Sequence, residues 1–146
     1  FGARLLMAEA RAIPEKAFNA FRGQYHASVI LQSLSRAEGQ PGNKILTLIE
    51  KDLYVPELNF VFGQADMLHN ICTISLTRLH QSYYALPEDE NLFLKRTLKE
   101  AVHELGHLFN LAHCPNPNCV MYFSNSLVDT DRKDYRFCAV CQKRLS

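Results

Sequence analysis

Three histidines and a glutamate are the residues best able to do chemistry here: His103, Glu104, His107 and His113. A helix turns once in about 3.6 residues, so on a helix His103 and His107, four apart, point the same way and can reach one metal ion. Glu104 projects to the flank of the first histidine. There it can reach a water held by the metal rather than the metal itself. His113 offers a third imidazole six residues beyond the second. Three neutral imidazoles leave a Zn²⁺ ion its charge and an open fourth position. Such an ion lowers the pKa of bound water to about 7 and polarises a carbonyl oxygen. Glu104 can then take the proton of that water and hand it to a leaving amine. The implied reaction is peptide hydrolysis without a covalent intermediate. No Ser or Cys has a base at motif spacing, so nucleophilic catalysis has no support. Iron and other first-row metals also bind three histidines, so zinc is an expectation.

A second ligand set follows at once. Cys114 and Cys119 form C-x4-C, and Cys138 and Cys141 form C-x2-C; Cys72 stands alone among the five cysteines. No secretory signal layout is seen, so the compartment reads as reducing and cytoplasmic, and the pairs as metal ligands sooner than disulfides. Four cysteines suit a closed, structural Zn²⁺ site. Two disulfides or an iron–sulfur cluster are the rival readings. The expectation is two Zn²⁺ per chain, one catalytic and one structural. Arg132, Lys133, Arg136, Lys143 and Arg144 surround the second pair and offset thiolate charge. A nucleic-acid patch is the weaker reading. Cys72 reads as a small core residue.

The element that must carry His103 and His107 is legible. Leu94, Leu98, Ala101, Leu105 and Leu108 form one apolar stripe at helical period. The two histidines lie roughly opposite it. The helix is therefore expected to pack on its leucines, with Arg96, Lys99 and Glu100 on a wet face beside the histidines. Pro87-Glu88-Asp89-Glu90 places acid at the helix start, where the dipole favours it. Asn110 sits where the chain needs a left-handed residue to end the helix and turn His113 back.

The full pattern is H-E-x-x-H-x-x-N-x-x-H, followed by the two cysteine pairs with Met121 between them. The first part is the signature of zinc peptidases. The whole resembles the metzincins, and among them the archaemetzincin family. The resemblance covers His103 to Cys141 and extends to the strands from about Lys44. Asn110 departs from the family's Gly. The resemblance implies an α+β, metzincin-like fold: a twisted mixed sheet on helices, a long active-site helix and a C-terminal zinc subdomain built on the four cysteines. It implies a catalytic part over 1–113 and a subdomain over 114–146. It makes Met121 the Met-turn, running beneath the catalytic metal. It also implies an edge strand whose backbone pairs with substrate. Tyr122 follows the methionine at a different offset from the oxyanion-holding tyrosine of some metzincins, and that role is not carried over.

Elsewhere the chain offers weaker signals. Arg4–Met7 reads as a first strand, Pro14 as the opening of a helical turn, and Gly23 as a break. Gln24–Arg36 reads as an amphipathic helix, with Tyr25 and His26 near its start. Residues 38–43 are a loop. Lys44–Glu50 reads as a buried strand and Leu58–Phe62 as another, ending at Gly63. Ile71–Leu79 alternates as a half-exposed strand, and the substrate-pairing edge is expected there. Asp52, Tyr54, Glu57, Gln64 and Asp66 cluster in connecting loops, where a second metal site is conceivable but solvated loop groups are the default, and His69 and His80 read as structural.

At 146 residues with 47% hydrophobic content, one domain with a real core is expected. No apolar run approaches the roughly 18 residues of a membrane span. Phe1 in place of a start methionine reads as a trimmed chain. A net charge of +1 argues against nucleic acid as main partner. The expected protein is a monomeric zinc metallopeptidase acting on peptides or proteins. A zinc-bearing peptide-binding protein with little turnover is the alternative, and a zinc-ribbon-like nucleic-acid binder the third. Glu104 discriminates against the second, because a pure binding site has no need of a general base.

Overall fold

A computed structural model describes residues 1–38 and 42–145. Residues 39–41 of the loop expected at 38–43 lie outside the described residues. The strands are β1 (Phe18–Asn19), β2 (Gln24–His26), β3 (Ile45–Ile49), β4 (Leu53–Tyr54), β5 (Gly63–Asp66) and β6 (Ile71–Ser75). The helices are α1 (Ala27–Glu38), α2 (Glu90–Leu108), α3 (Leu127–Arg132) and α4 (Ala139–Arg144). Mixed α and β elements in one small domain are as expected.

The main sheet runs β3-β6-β5, with β3 parallel and β5 antiparallel to β6. A small sheet, β1-β2-β4, lies beside it. Successive strand residues point to opposite faces. The Gln64 side chain bonds Ser28 of α1, whereas a Cβ on Gly63 would meet Glu104 of α2. The two helices therefore cover opposite faces of the sheet at β5.

That sandwich corrects the reading of Ile71–Leu79. All five residues of β6 are buried, Thr73 and Ser75 included, because the strand is central and covered on both faces. It ends at Ser75, and Thr77–Leu79 is a 3₁₀ turn. The edge next to Glu104 is β5. Leu58–Phe62 forms no strand; only an isolated bridge joins Val61 to Leu53, and pairing starts at Gly63. Lys44–Glu50 does hold a strand, but β3 is at an edge, so only Ile49 is buried and Leu48 is exposed. Arg4–Met7 has no strand partner, and Leu5, Leu6 and Met7 are exposed. Phe1 instead stacks on Phe109 with centroids 4.8 Å apart.

The amphipathic helix exists but starts at Ala27, because Gln24–His26 pair with β1 and β4. Pro14 does precede a short 3₁₀ turn, Glu15–Ala17, and Gly23 (φ +66) turns the chain between β1 and β2. Asp52 and Asp66 are not free loop carboxylates: Arg78 holds Asp52 and His69 holds Asp66. No helix among the described residues is long and apolar enough to cross a membrane.

Candidate metal centres

Helix α2 starts on Asp89, whose side chain accepts the Leu92 N–H at 3.0 Å. Its inward face agrees with the expected stripe at Ala101 and Leu108 but departs from it over the first turns. Leu94 and Leu98 are 56% and 47% exposed, while Arg96, Glu100, His103 and Glu104 are each at most 5% exposed. Polar groups can face inward when they are paired, and Arg96, Glu100 and His103 are. Arg96 holds Asp131 through two bonds of 2.7 and 2.8 Å and also donates to the Leu79 C=O. Glu100 accepts from Thr130 Oγ1 at 2.8 Å and faces Lys133 Nζ at 3.1 Å. The expected wet face of Arg96, Lys99 and Glu100 is thus the seat of α3, and Lys99 adds bonds to the Thr130 and Asp131 carbonyls.

The helix ends as the Asn110 reading requires. Asn110 has φ +61, its N–H donates to the His107 C=O, and the Leu111 N–H donates to the Gly106 C=O. These two bonds make a complete Schellman turn. It returns the chain so that His103, His107 and His113 offer ligand atoms within 4.8 Å of one another.

Two of the rings are aimed by backbone. His103 Nδ1–H donates to the Val120 C=O at 2.7 Å, and His107 Nδ1–H to the Leu111 C=O at 2.8 Å. A carbonyl only accepts, so the proton is on Nδ1 and each Nε2 carries a lone pair. Those Nε2 atoms are 3.2 Å apart. Zn–N bonds of about 2.0–2.1 Å at tetrahedral angles put nitrogens about 3.3 Å apart, so the donors fit one zinc ion. His113 is exposed, with its ring 5.0 Å from that of Phe123. Burial holds all three imidazoles below their usual range, and the Lys133 charge adds to it at each. Neutral imidazole is the ligand form.

Glu104 is packed beside them. Burial first, then Glu100, pushes its carboxyl up to about 8, opposed by Lys133. Gly63 makes room for it. A Cβ there would lie 2.7 Å from Glu104 Cγ, Glu104 Oε1 and the Thr73 carbonyl. Gly106 makes room on the helix for Met121, whose sulfur a Cβ would strike. Met121 is fully buried and packs against the turn bearing the histidines.

Cys114, Cys119, Cys138 and Cys141 also gather, with sulfurs within 4.8 Å of one another. All are free thiols; Cys114 and Cys138 sulfurs are 3.8 Å apart. The disulfide reading is therefore not the arrangement seen. A bond from the Cys141 backbone is the main cause that brings the Cys138 thiol down to about 7, while burial pushes Cys119 and Cys141 up. The cysteine loop is tied to the methionine segment: Cys114 N–H donates to the Met121 C=O, and Tyr122 N–H to the Cys119 C=O. Cys72 is buried in β6, as expected of a core residue, and burial pushes its thiol up.

Gly63, Glu100 and Lys133 escaped the sequence reading as site residues. A glycine inside a strand marks a close backbone approach, and that signal was present at Gly63. Nothing local marks Lys133 or Glu100.

Residues 5–146 match the model of peptidase family M54. The archaemetzincin of Methanocaldococcus jannaschii is 45% identical over 133 residues, 91% of this chain and 72% of that protein. The crystal structure of archaemetzincin from Methanopyrus kandleri superposes with a TM-score of 0.80 at 45% identity, covering 90% of this chain and 69% of that one. A zinc-dependent peptidase from Methanocorpusculum labreanum superposes with a TM-score of 0.84 at 33% identity, covering 91% and 80%. With this geometry and these relatives, the chain belongs to peptidase family M54, the archaemetzincin family of zinc metallopeptidases.

Proposed function

We propose that His103, His107 and His113 hold the catalytic zinc, that Glu104 is the general base, and that the four cysteines hold a second, structural zinc. The observation that carries this reading is the pair of Nε2 lone pairs 3.2 Å apart, each fixed by an Nδ1–H bond to a backbone carbonyl. Zinc bound there supplies a Lewis acid that polarises the peptide carbonyl and acidifies water. Glu104 takes a proton from the attacking water and returns it to the leaving amine. Its buried place beside His103, lining the same cavity, suits that task. The substrate backbone pairs with the free edge of β5, which adjoins Glu104 at Gly63. This moves the substrate edge from β6 to β5.

The test is Glu104→Gln. Zinc content by elemental analysis should stay at two per chain, while peptide hydrolysis falls by about 10²–10⁴-fold. Undiminished turnover would remove Glu104 from the base role. A single zinc, lost on substituting Cys138, would sink the histidine assignment.

A further inference from the structure

Lys133 is the largest fully buried side chain among the described residues. Lysine is almost never fully buried unless paired. Its ammonium is 3.1 Å from Glu100 Oε1 and donates to the Tyr122 C=O at 3.4 Å. One side chain thereby joins the catalytic helix to the segment just past Met121.

That segment has a second tie to the helix. Val120 takes the His103 Nδ1–H bond at 2.7 Å. Glu100 and His103 are three residues apart on α2, a separation of about 4.5 Å along the axis. Val120 and Tyr122 are two apart along the chain. Residues 133–136 run beside 118–122, with Asp134 N–H on the Asn118 C=O and Val120 N–H on the Arg136 C=O. The His103–Val120 bond alone would be a pivot. The Glu100–Lys133–Tyr122 bridge one turn earlier removes the rotation about it.

What would move is the wall of the reaction cavity. Phe123 lies against His113, and Phe123 and Ser124 line a cavity of about 40 Å³ together with Gly63, Glu100, His103 and Glu104. An uncharged pair of similar volume in place of Lys133 and Glu100 together would hold the stability about as well, since buried ion pairs often break even against packed hydrophobics. It could not make the Glu100–Lys133–Tyr122 bridge.

We propose that Lys133 is a positioning residue, which with Glu100 as counter-charge sets the register of the 120–124 segment on α2. It thereby fixes the aim of His103 and the Phe123–Ser124 wall. The proposal rests on the reading of the histidine cluster as the catalytic centre.

The experiment uses the zinc-loaded chain. It records kcat and KM on a cleaved peptide, the melting temperature, and the exchange lifetime of the His103 Nδ1 proton by NMR. Lys133→Met alone strands the Glu100 charge and can unfold the protein. The informative variant is Lys133→Met with Glu100→Gln, which is neutral, similar in volume and keeps an acceptor for Thr130. Expected is a melting temperature near that of the parent, kcat down about tenfold with KM little changed, and faster His103 proton exchange. Parental kcat and exchange in that folded variant would show the pair to be merely structural and overturn the proposal. Glu100→Asp is the second variant, keeping the charges but shortening the reach by one carbon. It should also lower kcat and speed exchange; a folded Glu100→Asp chain with neither effect overturns the proposal independently. If the parent cleaves no peptide, the catalytic reading fails, and the exchange lifetime alone decides the positioning role.

Discussion

The three histidines and the four cysteines are both gathered within 4.8 Å, yet the chain holds them in different ways. Two histidines are on one 19-residue helix, and the third follows its Schellman turn. Backbone carbonyls aim the first two rings. The cysteines come from the loop 114–119 and the start of a six-residue helix, α4. Their sulfurs meet at 3.8 Å and take bonds from nearby backbone, the Cys138 N–H onto Cys119 Sγ and the Cys141 backbone onto the Cys138 thiol. The first cluster is organised by protein before any metal arrives. The second is drawn together by a few bonds onto sulfur, and four thiols gathered so closely suit one shared ion. Metal at the histidines should therefore be a guest of the fold, and metal at the cysteines a part of it.

The largest effect should come from Cys141→Ser. Structural zinc in small peptides binds with about 10–16 kcal/mol, so loss of this ligand should cost several kcal/mol. It should also loosen the 114–145 region. Because Cys114 and Cys119 bond the Met121 and Tyr122 backbone, retention of metal at the histidines should weaken too, read by chelator competition. A folded variant without cysteine-bound zinc but with unchanged affinity at the histidines would show that the two centres are independent.

His107→Ala is the counterpart and should behave oppositely. It should abolish hydrolysis and release the histidine-bound metal while moving stability by only about 1 kcal/mol, as point changes typically do. A thermal melt that collapses as far as for Cys141→Ser would break the distinction between guest and structural metal.

Gly106→Ala probes where the clusters touch. The added methyl meets the Met121 sulfur and, at 3.3 Å, the Phe137 ring. Overpacking of this kind costs about 1–3 kcal/mol. Activity should fall further than stability predicts, because the displaced turn bears His107. Denaturant melts together with kcat would show it; equal kcat would mean that Met121 yields freely.

The smallest effect is at the turn. Asn110→Val should cost about 1–2 kcal/mol from left-handed strain, and Asn110→Gly should be neutral or slightly stabilising. If Val is as stable as Asn in a denaturant melt, the pre-organisation claimed for the histidine cluster does not depend on this turn.

The site was far more legible than the fold. Spacing four apart on a helix and a left-handed residue at Asn110 are local facts, and the structure gathers the histidines as those facts require. The four cysteines were likewise readable as spaced pairs. The sheet was not readable in the same way. Ile71–Ser75 alternates like a half-exposed strand, yet Thr73 and Ser75 are buried because α1 and α2 cover both faces. The apolar residues Leu58 to Phe62 look like a strand, but pairing begins only at Gly63, where Glu104 needs the space.

What the sequence determined by itself was whatever depends on neighbours a turn or less away: the helical period of 90–108, its acidic start, its left-handed stop, and the ligand spacing. Which face of that helix turns inward was decided only by tertiary structure. Leu94 and Leu98 point out, and Arg96, Glu100 and His103 point in. The reason is that Asp131, Thr130, Lys133 and Val120 come from more than fifteen residues downstream to pair with them. A polar residue is buried or exposed according to whether a partner meets it. No periodicity along the helix carries that information.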